Sequence, residues 1–269
     1  MTTIKTEIRD KGVYVITLNR PKVLNSLNKE IIDELLEAFE VAYDDQKIRT
    51  VVLTGEGRGF CSGADLAGGG WPSDPSWSPG ESTAHAMEIG FNPLVRKIVN
   101  CPKPVVNAIN GIAAGGGVGL ALCGDLILAS ESAKFKLVFG PQLGIISDVG
   151  ASWFVPNLLG RAKANGMALL GEDISAAQAE SWGLIWKVFP DEELLDQACA
   201  LAGQMSDGAI TGLKAIVKAH DNALQVSLSE QLDYERDTQR ILCDGKVFKE
   251  GVQAFLEKRK PNFRDVEEI

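Results

Sequence analysis

Two glycine-containing segments of this 269-residue chain carry residue types that let a ligand approach backbone N–H groups. One is Gly59-Phe60-Cys61-Ser62-Gly63-Ala64-Asp65-Leu66. The other is Asn110-Gly111-Ile112-Ala113-Ala114-Gly115-Gly116-Gly117-Val118-Gly119-Leu120. Small residues permit close approach, and N–H groups at a helix start polarise a carbonyl or hold an anion. Two such donors arriving from separate strand ends make an oxyanion hole. Both segments equally suit tight turns that pack a helix on a strand. A dinucleotide site fits poorly, because Gly115–Gly119 lacks the G-x-G-x-x-G spacing and no ribose-binding acid follows a strand about 20 residues on. No G-K-[ST] is present, which excludes a P-loop. His85 and His220 are the only histidines, so a His-rich metal site is nearly excluded.

The elements that must present these segments are visible in the hydropathy pattern. Residues 12–18 are rich in β-branched side chains and predict a strand. Residues 50–54, 104–109 and 126–129 predict buried strands, and each glycine segment begins just after one of them. Between 29 and 43, Ile31, Ile32, Leu35, Leu36, Phe39 and Ala42 recur at helical spacing, with Asn28 placed as N-cap. Alternating strands and helices indicate an α/β architecture. Residues 66–82, dense in Gly, Pro and Ser, predict a loop whose length suits an active-site flap. Beyond Asp191 the pattern is helical over 192–205, 209–222, 227–243 and 245–258. The expected organisation is a core over 1–195 and a helical region over 196–269 that packs on neighbouring subunits.

Hydrophobic residues at 45% and charged residues at 23% are the mix of a soluble globular protein. A chain of this length needs neither disulfides nor metal to bury a core. The net charge of −9 disfavours nucleic acid as a partner, although a local cluster can still bind a phosphate-bearing small molecule. Five cysteines at irregular spacing, with no C-x-x-C, predict free thiols in a reducing compartment and hence a cytoplasmic location. The start lacks an apolar signal region and no 18-residue apolar run occurs, so secretion and membrane spanning are disfavoured.

Four ordered pieces, NRPKVLNSL (19–27), VVLTGEGRGFCSGADL (51–66), KPVVNAINGIAAGGGVGLALCGDLILAS (103–130) and FLEKRKPNF (255–263), resemble the enoyl-CoA hydratase/isomerase (crotonase) superfamily. The resemblance spans essentially the whole chain. It implies a spiral of ββα units, a C-terminal helical trimerisation region, and a homotrimer or a hexamer of two trimers. It also implies an acyl-CoA thioester as substrate; no metal or redox cofactor is expected, since the sequence has neither a ligand cluster nor a nucleotide fingerprint. The oxyanion donors it implies are the N–H groups of Ala64 and Gly116. The CoA-binding residues it implies are Lys22, Val23 and Leu24, then Ala64, Asp65 and Leu66. From a neighbouring subunit, Phe255 and Lys258 would reach the CoA; as residues alone, they also suit an amphipathic helix with one buried aromatic and one solvated cation. Gly116 would open a helix, whose positive end adds to its N–H.

The chain departs from the hydratase pattern at two positions. The glutamate that activates water corresponds to Gly119, and the one that protonates the α-carbon corresponds to Gly140. Glycine does neither job, so a plain hydratase is disfavoured. These glycines also predict extra room, which Trp71, Trp77 and Trp153 would help to line. The segment LGIISDVGASW (143–153) resembles L-G-L-V-P-D-x-G-G-T-W, a motif of the subgroup containing 1,2-epoxyphenylacetyl-CoA isomerase and Δ3–Δ2 isomerases. Ser147 and Ala151 depart from it. Asp148 is the implied base, against a bland reading as a helix N-cap. Asp65 and Asp125 have structural readings, as a CoA-facing and a buried turn acid; Asp74 and His85 sit in or beside the flap. The leading expectation is an acyl-CoA isomerase. The alternatives are a hydratase, decarboxylase or hydrolase with a non-standard acid/base, and a non-catalytic acyl-CoA-binding protein.

Overall fold

The computed structural model describes residues 2–67 and 69–267. Among the described residues there are ten strands: β1 (Ile4–Arg9), β2 (Val13–Leu18), β3 (Thr50–Gly55), β4 (Gly59–Cys61), β5 (Val105–Ile109), β6 (Ile112–Ala114), β7 (Leu126–Ser130), β8 (Lys134–Lys136), β9 (Ile174–Ser175) and β10 (Lys187–Phe189). Six form one sheet in the order β1-β2-β3-β5-β7-β10, and four form a smaller sheet, β4-β6-β8-β9. From β2 to β10 the large sheet is parallel, with β1 antiparallel at its edge. Each of β3, β5 and β7 is followed directly by a short strand of the small sheet. A helical segment then leads to the next turn. This is the ββα spiral.

The inner strands β2, β3, β5 and β7 read as nearly continuous apolar runs because both faces are covered. Side chains alternate between the faces with a period of two. Val13, Val15, Val52, Val106, Ala108 and Leu128 pack against Leu194, Ala198 and Ala202 of the helix Leu194–Ser206. Tyr14, Ile16, Leu18, Val51, Leu53, Val105 and Ile109 face the larger core, where Ile31, Leu35 and Phe39 of the helix Lys29–Asp44 meet them. Asn28 caps that helix, its side chain accepting the Ile31 N–H at 3.1 Å. The helix crossing the expected 195/196 boundary thus lies on the sheet. The three helices after it, Ile210–Ala223, Leu228–Asp244 and Lys246–Leu256, form the C-terminal region.

Two buried ion pairs tie that region to the core. Lys214 reaches Asp125 at 2.7 Å, and Asp125 also accepts the Val105 N–H at 2.8 Å. Arg49 reaches Glu267 at 2.8 Å, and Glu267 accepts the N–H groups of Ile210 and Thr211, closing the start of their helix. Two expectations change. The Gly/Pro/Ser stretch 66–82 ends early, because Ser78 and Glu81 make a capping box that starts the helix Pro79–Ala86. The small sheet was not foreseen, since strands of two or three residues are too short to show a period. No described helix is long and apolar enough to cross a membrane.

Candidate active site

Because β3 and β5 are parallel neighbours, the segments that leave their carboxyl ends emerge side by side. Pairing of β4 with β6 carries them forward together. Gly63 has φ +92°, and a Cβ there would lie 2.9 Å from the Ala114 carbonyl oxygen and 3.0 Å from the Gly116 nitrogen. A Cβ on Gly117 would lie 2.0 Å from the Cys61 carbonyl oxygen. The two glycine segments therefore touch through their main chains, a contact that only missing side chains allow. Leu27 brackets Ala64: its N–H donates to the Gly63 carbonyl at 2.8 Å and its carbonyl accepts the Asp65 N–H at 2.9 Å. That pairing leaves the Ala64 N–H outside the bridge. Gly116 opens the helix Gly116–Leu122.

Ala64 and Gly116 both line a pocket of roughly 300 Å³. Trp71, Met87, Phe91, Val138, Phe139 and Ile145 give it apolar walls. Trp71 packs on Phe91 in a tilted contact with ring centres 5.0 Å apart, and its ring lies over Gly90, where a Cβ would come within 2.3 Å. Asp148 also faces this pocket. Its Oδ1 lies 3.2 Å from where a Cβ on Gly116 would stand. Burial among these walls pushes the Asp148 carboxyl up to about 6, with no cation opposing the shift.

The second carboxyl in the wall behaves differently. Asp65 accepts from Arg20 at 2.9 Å and from Ser26 at 3.3 Å, and the Arg20 hydrogen bond holds it below the usual carboxylate range. It braces the loop carrying Ala64. Cys61 is fully buried and its thiol is pushed up to about 12, which removes it as a thiolate nucleophile. Asp148 does not cap the following helix. The N-cap of Ala151–Leu170 is Gly150, in the left-handed region and without a side-chain cap; the main-chain carbonyl of Asp148 accepts from Ala151 at 2.9 Å.

The room expected at Gly119 is filled. A Cβ there would stand 2.1 Å from the Val149 carbonyl oxygen, so this glycine serves close packing. Gly140 does have open space, its nearest neighbour being the Ala168 carbonyl oxygen at 3.6 Å, but it is exposed and lies outside the pocket lining. Of the three tryptophans, Trp71 lines the pocket. Trp77 instead packs on His85 with ring centres 4.7 Å apart, and Trp153 on Phe154 at 5.2 Å. Asp74 is exposed and accepts from Ser76.

Lys22, Val23 and Leu24 lie beside the first glycine segment. The Ser62 N–H donates to the Leu24 carbonyl at 2.9 Å and its hydroxyl to the Val23 carbonyl at 3.2 Å. Lys22 and Val23 are exposed, and Leu66 is 80% exposed, so a surface track runs from this turn to Ala64. Phe255 and Lys258 are not at this pocket. Phe255 is 82% exposed, where the bland reading had a buried aromatic, and lines an apolar groove with Phe248, Val252 and Phe263. Lys258 is exposed just beyond that helix. Met87, Phe91, Val138 and Phe139 were not singled out from sequence. They sit in or beside short π-helical turns, Met87–Phe91 and Phe139–Leu143, which no helical period marks.

The profile of the enoyl-CoA hydratase/isomerase family matches residues 8–266. The chain is 46% identical over 254 residues to 1,2-epoxyphenylacetyl-CoA isomerase of Escherichia coli K12, covering 94% of this chain and 95% of that protein. It is 40% identical over 261 residues to a probable enoyl-CoA hydratase of Rhodobacter capsulatus, covering 97% of each. Among solved structures, an enoyl-CoA hydratase from Bacillus anthracis superposes with a TM-score of 0.89 at 32% identity, covering 97% of this chain and 99% of that one. By the match along its length and by its ββα spiral, the chain belongs to the enoyl-CoA hydratase/isomerase (crotonase) family.

Proposed function

We propose that the protein is an acyl-CoA isomerase that shifts a double bond, or rearranges a ring, by moving one proton through an enolate. The observation that carries this reading is one desolvated carboxyl, Asp148, beside Gly116 in an apolar pocket, with glycine at both positions where a hydratase carries its glutamates. The thioester carbonyl would lie between the N–H groups of Ala64 and Gly116. In the double-bond case, Asp148 takes a proton from C2 of a 3-enoyl thioester, and the electron pair delocalises onto the carbonyl oxygen. The same carboxyl returns the proton to C4, leaving the double bond between C2 and C3. One base suffices for such a shift, whereas adding water needs a second positioned group. Each oxyanion donor is worth about 10²–10³ in rate.

The likeness to 1,2-epoxyphenylacetyl-CoA isomerase supports the same side of the family, and the aromatic wall of Trp71, Phe91 and Phe139 suits a bulky or cyclic acyl group. CoA would lie along Lys22, Val23, Leu24, Asp65 and Leu66. The exposed apolar side chains Phe248, Phe255 and Leu256 support assembly as a homotrimer or a hexamer of trimers, with Phe255 and Lys258 approaching a neighbour's CoA. A hydratase is the second reading, because relatives at 33–40% identity carry that name. The test is Asp148→Asn, which keeps size while removing the base. Turnover should fall at least ~10²-fold with acyl-CoA affinity unchanged. Survival of turnover would remove Asp148 from the role.

A further inference from the structure

Asp148 is followed by Val149, which has φ +51°. It is the only β-branched residue with positive φ among the described residues. A branched Cβ makes this conformation a genuine outlier, and such outliers persist only where surrounding structure over-determines them. What holds this one is the helix Gly116–Leu122. A Cβ on Gly116 would fall 2.8 Å from Val149 Cγ2, and one on Gly119 would fall 2.1 Å from the Val149 carbonyl oxygen. The two glycines, three residues apart on one helix face, make a slot that takes both the side chain and the main chain of Val149. Val149 is 3% exposed, and Gly150 continues the left-handed turn at φ +81°. The same seat brings Asp148 Oδ1 against Gly116.

We propose that Val149 is a positioning residue: its left-handed backbone, seated on Gly116 and Gly119, fixes the Asp148 carboxylate beside the oxyanion donor. The inference rests on the reading of Asp148 as the base. It also gives Gly119 a task. A side chain at 119 and the present place of the Val149 carbonyl exclude one another, so a hydratase-type glutamate there would displace the turn that carries Asp148. The slot thereby selects the one-base reaction. The only other carboxyl in the pocket wall, Asp65, is engaged by Arg20 and Ser26, and no lysine, arginine or histidine lines the wall among the described residues. Displacing Val149 therefore acts on Asp148 through geometry and solvent access, with no other charge to compensate.

The test uses Gly119→Ala and Val149→Ala in the full-length protein, with Asp148→Asn in parallel. Gly119→Ala should lower kcat on a 3-enoyl-CoA by at least ~10-fold, with KM within about twofold, since a displacement on the order of 1 Å suffices for such losses. Val149→Ala withdraws Cγ2 from Gly116 and should lower kcat by a smaller factor. In both variants the Asp148 carboxyl, followed by its ¹³C chemical shift without substrate, should titrate lower, toward the ordinary range near about 4. If both fold and keep wild-type kcat and carboxyl titration, or change only in thermal stability, the positioning role is refuted. If Gly119→Ala does not fold, Val149→Ala decides on the same readings. Intact turnover in Asp148→Asn would instead sink the base assignment. Lost turnover there, with unaffected 119 and 149 variants, sinks the positioning role alone.

Discussion

Asp148→Asn should make the protein more stable at neutral and higher pH while disabling it. The fold opposes ionisation of this carboxyl, raising it from 3.8 to about 6. At 1.36 kcal/mol per pH unit that displacement corresponds to roughly 3 kcal/mol. Residual solvent access beside the open pocket reduces it to about 1–2 kcal/mol. The folded chain holds this proton more tightly than the unfolded chain does. The residue's contribution is therefore fullest below about pH 4 and is lost as pH rises through about 6. Asparagine never carries the charge. The variant should exceed the wild type by ~1–2 kcal/mol near pH 8, and the gap should close below about pH 4. For a chain of this length each kcal/mol moves the midpoint by about 2–4 °C. Thermal unfolding followed by circular dichroism at fixed protein concentration, near pH 4, 6 and 8, reads both limits. A variant that is less stable near pH 8 by about 1 kcal/mol would behave as one that had lost a helix cap. That result would refute the reasoning.

Three further outcomes follow from the same structure. The acid limb of kcat/KM against pH should be centred near 6, activity rising as Asp148 loses its proton; a limb near about 4 would mean an ordinary solvated carboxylate. Lys214→Ala leaves Asp125 buried without its cation and should cost about 3–5 kcal/mol in urea unfolding, with Asp125→Asn recovering part of the loss in the double variant. Glu267→Ala strands Arg49 and uncaps the helix Ile210–Ala223, so faster amide exchange at Ile210 and Thr211 is expected; unchanged exchange would dismiss the capping role.

Much of the scaffold was legible because it obeys short periods. The apolar runs of β3, β5 and β7 mark strands covered on both faces, and Ile31 to Ala42 mark one buried helix face. The glycine segments were legible as places of close approach, and Gly63 and Gly117 meet the opposite main chain as such residues must. What could not be read was which neighbour each glycine meets. Gly119 looked like vacant space, yet its partner is the Val149 carbonyl, 30 positions on in the chain and brought there by a left-handed turn that valine rarely adopts. Asp148 likewise sits just where a capping residue would. Only the backbone at Gly150 separates the two roles, by starting the helix two residues later. Phe91 and Phe139 stayed hidden because π-turns break the helical count that would have assigned their faces.

The most direct test of the one-base isomerisation is a reaction with a 3-enoyl-CoA in water enriched in ¹⁸O, followed by mass spectrometry of the thioester products. Proton transfer by Asp148 through an enolate held at Ala64 and Gly116 predicts 2-enoyl-CoA with no ¹⁸O in its acyl chain, and its loss in Asp148→Asn. No 2-enoyl-CoA from this substrate, or its formation at the same rate by the wild type and Asp148→Asn, would contradict it.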